Sequence, residues 1–175
     1  MLIREMPKGI RLVELTQEKA LELWEKFSAI NGLFDDFQKG NFGVFINKLS
    51  SPDTVWFERE DGNGLLYLTS VIKGLSATGH ILYWDKKLIG TEEFTLDVLR
   101  YLVEVIPLKK VNLYLPDFAK SAIRYAERLG FKYEGTIRRW SYSNGSLFDM
   151  KIFGMLSEEV MASGPKSIEG TKEGE

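Results

Sequence analysis

The four residues Asp61-Gly62-Asn63-Gly64 constrain the fold more than any other stretch of this 175-residue chain. Glycine and asparagine tolerate positive φ, so this stretch is typical of a tight turn between two antiparallel strands. It separates two apolar runs, Thr54–Glu60 and Leu65–Ile72, and a third run, Ala77–Trp84, follows the turn at Lys73-Gly74. The middle of the chain is therefore predicted to be an antiparallel meander of three strands.

The second half of the chain alternates between helical and strand patterns. An apolar stripe at helical spacing covers Phe94–Ile106 and stops at Pro107, which a helix interior does not tolerate. Alternation over Lys110–Leu115 predicts a strand. A second helical stripe, Ala122–Leu129, ends at Gly130, a residue typical of a left-handed helix cap.

The remaining segments complete an α+β (mixed α/β) domain of residues 1–160. Residues 161–175 are rich in Gly, Ser, Lys and Glu and are expected to form a disordered tail, since they offer little apolar surface to bury. The other predicted elements are a strand at Ile10–Leu15, a helix at Gln17–Ser28 capped by Thr16, further helix within Phe34–Leu49, and strands at Phe131–Glu134, Thr136–Tyr142 and Leu147–Leu156.

Composition excludes several classes of protein and site. Cysteine is absent and His80 is the only histidine, which excludes disulfides, zinc fingers and cysteine nucleophiles and leaves no expected metal site. The net charge of −2 provides no global positive field for nucleic acid. No apolar run reaches the roughly 18 residues of a membrane span. The first fifteen residues lack the apolar core of a signal peptide, so the expectation is a cytoplasmic protein.

Three stretches carry a family resemblance. The segment Ala122–Glu159 contains a helix ending in E-x-L-G-F, then E-G-x-x-R, an N-G hairpin and an acidic residue. Gly90-Thr91-Glu92 precedes the first helical stripe, and Arg11–Leu15 precedes the first helix. Together they resemble the GNAT superfamily of N-acetyltransferases, closest to the ribosomal-protein-alanine branch. The matching residues are Glu127, Leu129, Gly130, Phe131, Glu134, Gly135, Arg138, Asn144, Gly145 and Asp149.

The resemblance implies a GNAT-like fold: a central, mostly antiparallel sheet of about seven strands flanked by helices, with a splay between the fourth and fifth strands. It implies acetyl-CoA as co-substrate, with the pantetheine arm paired to a strand edge in that splay. The pyrophosphate would lie at a helix N-terminus, where the helix dipole favours anions. The residues that the resemblance assigns to this cofactor are Tyr83, Trp84, Lys86, Lys87, Leu88, Ile89, Gly90 and Thr91.

The phosphate loop departs from the family pattern Q/R-x-x-G-x-G/A. Asp85 stands at the first position, Leu88 replaces the first glycine, and Ala119 stands where the family has an asparagine. An acidic side chain repels a pyrophosphate, although Lys86 and Lys87 offset part of that charge. The alternative hypothesis is therefore a non-catalytic GNAT-fold module for binding or assembly that has lost CoA binding.

Amine acetylation needs a base for the amine and an acid for the departing thiolate. His80 is a candidate base, because it is the only side chain that titrates near neutrality without help. Strand alternation places it on one face with Trp84 and places Tyr83 on the other. Glu60 is a second candidate base, and Tyr125 is a candidate acid one residue from the position of the family's tyrosine. The acceptor would be an amine of a protein or small molecule, and the aromatic last hairpin suggests a homodimer.

Overall fold

The computed structural model of the chain describes residues 5–30, 33–85 and 91–163. The described helices and strands follow one another in the order that the sequence pattern predicts, with a short additional helix at the end. They are β1 (Ile10–Leu12), α1 (Gln17–Ser28), α2 (Phe42–Leu49), β2 (Val55–Arg59), β3 (Gly64–Ile72), β4 (Ser76–Tyr83), α3 (Thr91–Val105), β5 (Lys110–Pro116), α4 (Lys120–Leu129), β6 (Lys132–Ser143), β7 (Ser146–Leu156) and α5 (Ser157–Ala162).

The strands form one seven-stranded sheet in the order β1-β2-β3-β4-β5-β7-β6. Every neighbouring pair is antiparallel except β4 and β5, which are parallel and joined through α3. The predicted mixed α/β domain with a mostly antiparallel sheet is therefore confirmed. A parallel pair needs a crossover connection, and the long apolar stripe of α3 provides it.

Helices cover the two faces of the sheet and bury two separate cores. On the α1 face, Phe27 and Phe45 pack with Trp56 and Leu65. On the α3 face, residues of α3, α4 and α5 pack on Phe57, Leu66, Val111 and Phe153, among others. The alternation predicted for β4 is confirmed, since Leu82 and Trp84 pack on the α1 face and Ile81 and Tyr83 on the α3 face.

Local sequence signals place the ends of several elements. Thr16 caps α1 by accepting a hydrogen bond from the Lys19 backbone N–H at 3.2 Å. Gly130 ends α4 with a φ of +102°. In the last hairpin, Asn144 and Gly145 have φ angles of +51° and +74°, as the two central residues of a tight turn require.

Three boundaries differ from those that the sequence pattern predicts. The two strands predicted on either side of Gly135 are one strand, β6, with register shifts that absorb the irregular residues. Strand β1 ends at Leu12. Residues 161 and 162, predicted as tail, belong to the short helix α5. Residues 31–32 and 164–175 lie outside the described part of the chain.

The described helices are all unsuited to crossing a bilayer, since none combines sufficient length with sufficient apolar character.

Candidate active site

The parallel pair of β4 and β5 opens towards the C-terminal ends of both strands. The ladder joins only three residue pairs, ending at Thr78 and Asn112. Beyond them, β4 continues to Tyr83 and β5 to Pro116, each paired only with its other neighbour. The predicted splay is therefore present. It leaves backbone N–H and C=O groups of the last β4 residues facing an open slot, where an extended ligand can add as a strand.

Four residues from three elements bring their polar groups together beside this splay, on the α3 face. The Tyr83 hydroxyl at the end of β4 donates to the Thr91 carbonyl at 2.7 Å and lies 2.6 Å from the Thr95 hydroxyl. The Tyr125 hydroxyl of α4 donates to Tyr83 at 3.2 Å and lies 3.1 Å from Thr95. We call Tyr83, Thr91, Thr95 and Tyr125 the hydroxyl cluster.

Burial controls the protonation of Tyr83 in the hydroxyl cluster. It raises the pKa of Tyr83 well above the ordinary value for tyrosine, because the phenolate would lose its hydration. Since the Thr91 carbonyl can only accept, Tyr83 must be the donor to it, and the other two hydroxyls donate within the cluster. Tyr125 can therefore protonate a departing thiolate only by exchanging its present hydrogen bond for a new one.

His80 lies on the opposite, α1 face of the splay. Its ring stacks on Tyr67 with centroids 4.3 Å apart, and Tyr67 in turn stacks on Trp56 at 4.2 Å. The His80 Nε2 atom lies 2.9 Å from the Thr69 hydroxyl. This row of rings crosses three strands and holds the imidazole in one orientation. Thr69 is followed by a bulge in which Ser70 has a φ of +50°.

Asp36, which precedes α2, binds the β6–β7 turn at the end of the sheet where the splay opens. Strand β7 begins at Ser146, beyond the C-terminal end of β5, so the β6–β7 turn lies at the end of the sheet where the splay opens. The C-terminal part of α1 also lies there, with Phe27 packed on Trp84. Asp36 accepts hydrogen bonds from the Asn144 and Gly145 backbone N–H groups at 2.8 and 2.7 Å. These two bonds hold the hairpin tip at the mouth of the splay.

Glu58, in β2, and Glu60, just after it, differ sharply in solvent exposure and in their contacts. Glu58 has only 3% of its side chain exposed and is paired with Arg11 at 2.7 Å and Lys19 at 2.9 Å. Both of its oxygens are therefore engaged. The candidate base Glu60 is exposed, and its backbone N–H donates to Gly9 at the β1 side of the sheet. Glu60 follows the end of β2, four residues after Trp56. It therefore lies roughly 13 Å along the strand direction from the row of rings that contains Trp56 and His80.

The indole N–H of Trp84 is a hydrogen-bond donor without an acceptor among the described residues. Its Nε1 atom is buried. The ring itself packs on Phe27 and lies under the Lys26 ammonium, 5.4 Å from its centroid. A buried N–H without an acceptor is unfavourable, so this edge of the site suits a ligand oxygen or a water molecule.

The structure gathers some of the predicted site residues and separates others. It unites Tyr83, Thr91 and Tyr125, places His80 across the splay from them, and leaves Glu60 apart. Residues 86–90, which include Lys86, Lys87, Leu88, Ile89 and Gly90, lie outside the described residues. Two members of the site were missed from the sequence. Thr95 is one turn of helix after Thr91, a spacing that could have suggested its place in the site. Nothing in the sequence around Asp36 indicates that it contacts the hairpin.

Comparison by sequence gives one partial relative. The chain matches no protein-family model. Over 68 residues it is 37% identical to the SPbeta prophage-derived uncharacterized N-acetyltransferase YokL of Bacillus subtilis (strain 168). This stretch is 39% of the chain and 38% of that protein, so the match spans well under half of the relative's length.

Comparison by structure covers most of the chain. The spermidine N-acetyltransferase SpeG from Vibrio cholerae in complex with CoA and spermine superposes with a TM-score of 0.68 at 16% identity, over 89% of this chain and 99% of that chain. A probable acetyltransferase of the GNAT family from Chromobacterium violaceum ATCC 12472 gives 0.68 at 17%, over 87% and 85%. This chain has the GNAT fold. The β4–β5 splay and the hydroxyl cluster beside it form the candidate active site.

Proposed function

We propose that this protein is an N-acetyltransferase that moves an acetyl group from acetyl-CoA to a primary amine. One observation carries the proposal: the parallel ladder of β4 and β5 stops after three pairs, although both strands continue. The open β4 edge is a ready partner for an extended, amide-bearing ligand such as pantetheine. A non-catalytic module that had lost CoA binding would not need this open edge, so the enzyme is the favoured hypothesis.

The residues beside the splay suit the binding of acetyl-CoA. Thr91 begins α3, whose N-terminal N–H groups favour an anion. Glu92 and Glu93 in the same turn oppose this, and Arg128, 2.7 Å from Glu92, offsets the charge of Glu92 alone. We assign the cofactor contacts to Tyr83, Trp84, Thr91 and residues 86–90, as the family resemblance implies. The buried Trp84 N–H is an independent sign of a ligand oxygen at this edge.

The proposed reaction is direct attack of the amine in a ternary complex. Acetyl-CoA, when bound, supplies a thioester carbonyl for the amine to attack and a thiolate that departs. His80 takes the proton that the amine loses as the C–N bond forms, and its stack on Tyr67 holds the ring in place. Tyr125 gives its proton to the thiolate as the C–S bond breaks, and the neighbouring hydroxyls of its cluster orient it. Glu60 is the alternative base and would act through water.

Two kinds of amine are candidate acceptors, a protein N-terminus and a small-molecule amine. The resemblance of Ala122–Glu159 favours the ribosomal-protein-alanine branch and hence a protein N-terminus. The SpeG structures, which match the whole fold, are named for spermidine and one contains spermine. We propose a small-molecule amine, because the SpeG structures match the whole fold, whereas the other resemblance covers one segment.

Half-exposed Trp140 and Tyr142 on β6 support a homodimer through this strand. The proposed location of the protein is the cytoplasm.

A thermal-shift titration tests the function. A protein that binds acetyl-CoA with micromolar affinity gains about 4 kcal/mol of folding free energy at millimolar ligand, and its melting temperature rises accordingly. Desulfo-CoA and free adenosine serve as ligand controls, since the first retains the pantetheine and the second lacks it. His80→Gln should keep the shift and lose most of the turnover. No shift at millimolar acetyl-CoA would overturn the proposal.

A further inference from the structure

A cavity lies at the mouth of the splay, and the reaction proposed above does not use it. Its volume is about 400 Å³, and it lies between the end of β5 and the tip of the β6–β7 hairpin. Its walls combine a carboxylate, two phenyl rings, polar hairpin residues and one leucine. The lining residues are Asp117, Phe118, Ser143, Asn144, Ser146, Leu147 and Phe148.

The cavity has an uncompensated negative charge. Asp117 is half-buried, and its backbone N–H donates to the Asp149 carbonyl, which fixes its position. Its carboxylate has no hydrogen bond or ion pair with any residue that the structure describes. By contrast, both oxygens of Asp36 at the same end are occupied by backbone N–H groups. Asp117 is thus available to a cation from outside.

The aromatic walls suit the same kind of ligand. The Phe118 and Phe148 rings meet edge to face with centroids 5.3 Å apart, and Phe118 is 44% exposed. The face of an aromatic ring attracts an ammonium group, and its apolar surface accepts a methylene chain. A carboxylate beside an aromatic ring is therefore suited to an alkylammonium ion.

The cavity has a defined position relative to the candidate base. Thr78 pairs with Asn112, so along the strand direction His80 is level with Tyr114, although the splay separates the two strands at this point. Asp117 is three residues beyond Tyr114, roughly 10 Å along the strand direction. The opposite wall belongs to the hairpin tip that Asp36 holds, so the cavity exists before any ligand arrives.

We infer that this cavity is a subsite for a second cationic group of the acceptor, with Asp117 as its anionic partner and Phe118 as its aromatic wall. The inference rests on the proposed acetyltransferase function and specifies its acceptor: an amine whose other ammonium lies about 10 Å from the reacting nitrogen. Asp117 contacts the acceptor and takes no part in the chemistry.

A chain-length series of acceptors tests the subsite. Linear α,ω-diamines from diaminopropane to diaminodecane are compared with the monoamine of each length. We expect the KM of the wild-type protein to fall to a minimum near diaminooctane, about tenfold below that of octylamine. Asp117→Asn should remove that minimum while leaving kcat, the KM of octylamine and the KM of acetyl-CoA unchanged. Asp53→Asn, an exposed carboxylate in the turn before β2, is the matched control.

Direct binding separates failure of the subsite from failure of the function. Titration calorimetry of diaminooctane with the wild-type protein and Asp117→Asn needs no turnover. Selective weakening in the variant supports the subsite even if acetyl-CoA fails to bind, in which case only the proposed function falls. Equal affinity of both proteins, or equal KM values for diamines and monoamines in an active enzyme, would overturn the subsite. Phe118→Leu gives a second reading, with an expected loss of a few fold for diamines alone.

Discussion

The Tyr125 hydroxyl donates to the Tyr83 hydroxyl at 3.2 Å and links α4 to the end of β4 across the splay. The two residues are 42 positions apart in sequence, and their rings meet edge to face at an angle of 67° with centroids 5.8 Å apart. Because this link borders the slot in which we place the thioester, it connects the stability of the site with its proposed chemistry.

Removal of the Tyr125 hydroxyl tests both roles. Tyr125→Phe deletes one donor of a buried cluster and should cost about 1 kcal/mol of unfolding free energy. If Tyr125 is the acid, kcat should also fall about a hundredfold while the KM of acetyl-CoA changes little. Steady-state kinetics and urea unfolding are the measurements. Tyr133→Phe, at an exposed β6 position, is the control, and an undiminished kcat in Tyr125→Phe would exclude the catalytic role.

Alkaline unfolding should report the buried tyrosines. Burial raises the pKa of Tyr83 and of Tyr67. In the unfolded chain both ionise near pH 10, so above that pH the folded state holds more protons than the unfolded state. Their contribution to stability is therefore complete below about pH 10 and declines as the pH rises. The melting temperature of Tyr83→Phe should fall less steeply between pH 9 and pH 11, roughly, than that of the wild type.

Glu58 and Glu60 form a matched pair for substitution. Glu58→Gln removes the buried carboxylate that pairs with Arg11 and Lys19, but Arg11 is half-exposed and Lys19 keeps its contact with Glu22, so we expect a loss of about 2 kcal/mol. Glu60→Gln should change stability by less than about 0.5 kcal/mol, because the side chain is exposed. Chemical denaturation distinguishes the two. A large fall in turnover for Glu60→Gln without loss of stability would transfer the role of base from His80 to Glu60.

The Asp36 contacts should make the hairpin tip sensitive to acid. Hydrogen bonds from the Gly145 and Asn144 backbone N–H groups hold the pKa of Asp36 below its usual value. A lowered pKa contributes stability above the unfolded value near pH 4, and that contribution disappears as the pH falls below it. In Asp36→Ala, the amides of Asn144 and Gly145 should exchange hydrogen faster at neutral pH. Asp53→Ala should leave both rates unchanged, and unaltered rates in Asp36→Ala would contradict the assignment.

Trp84 and Trp56 should respond differently to loss of the indole. Trp84→Phe removes a buried donor that has no described partner while keeping a ring against Phe27, so stability should stay within about 1 kcal/mol of the wild type. Trp56→Phe opens space in a core stack and should cost about 2 kcal/mol. Thermal unfolding measures both. A weaker acetyl-CoA shift in Trp84→Phe alone would show that the free N–H serves the ligand.

The helices and strands and their order could be predicted from the sequence, because they depend on local interactions. Positive φ at Asn144 and Gly145, the cap at Thr16 and the stop at Gly130 act within a few residues. Periodicity did the same for β4, and its two predicted faces match the structure. The order of the motifs indicates the GNAT fold as well. Around Gly135 the sequence pattern predicted a break between two strands, and this boundary was wrong. The structure has one bulged strand there, because pairing with the neighbouring strand stabilises the bulge.

The site was decided by tertiary structure. Nothing near Asp36 in sequence indicates that it binds a hairpin tip 108 residues away, and no pattern distinguishes buried Glu58 from exposed Glu60. The hydroxyl cluster needs residues of β4, α3 and α4 at 2.6 to 3.2 Å, a distance that only packing of both helices on one sheet face can set. Side-chain chemistry is local, but proximity and burial, which give it direction, are properties of the folded chain.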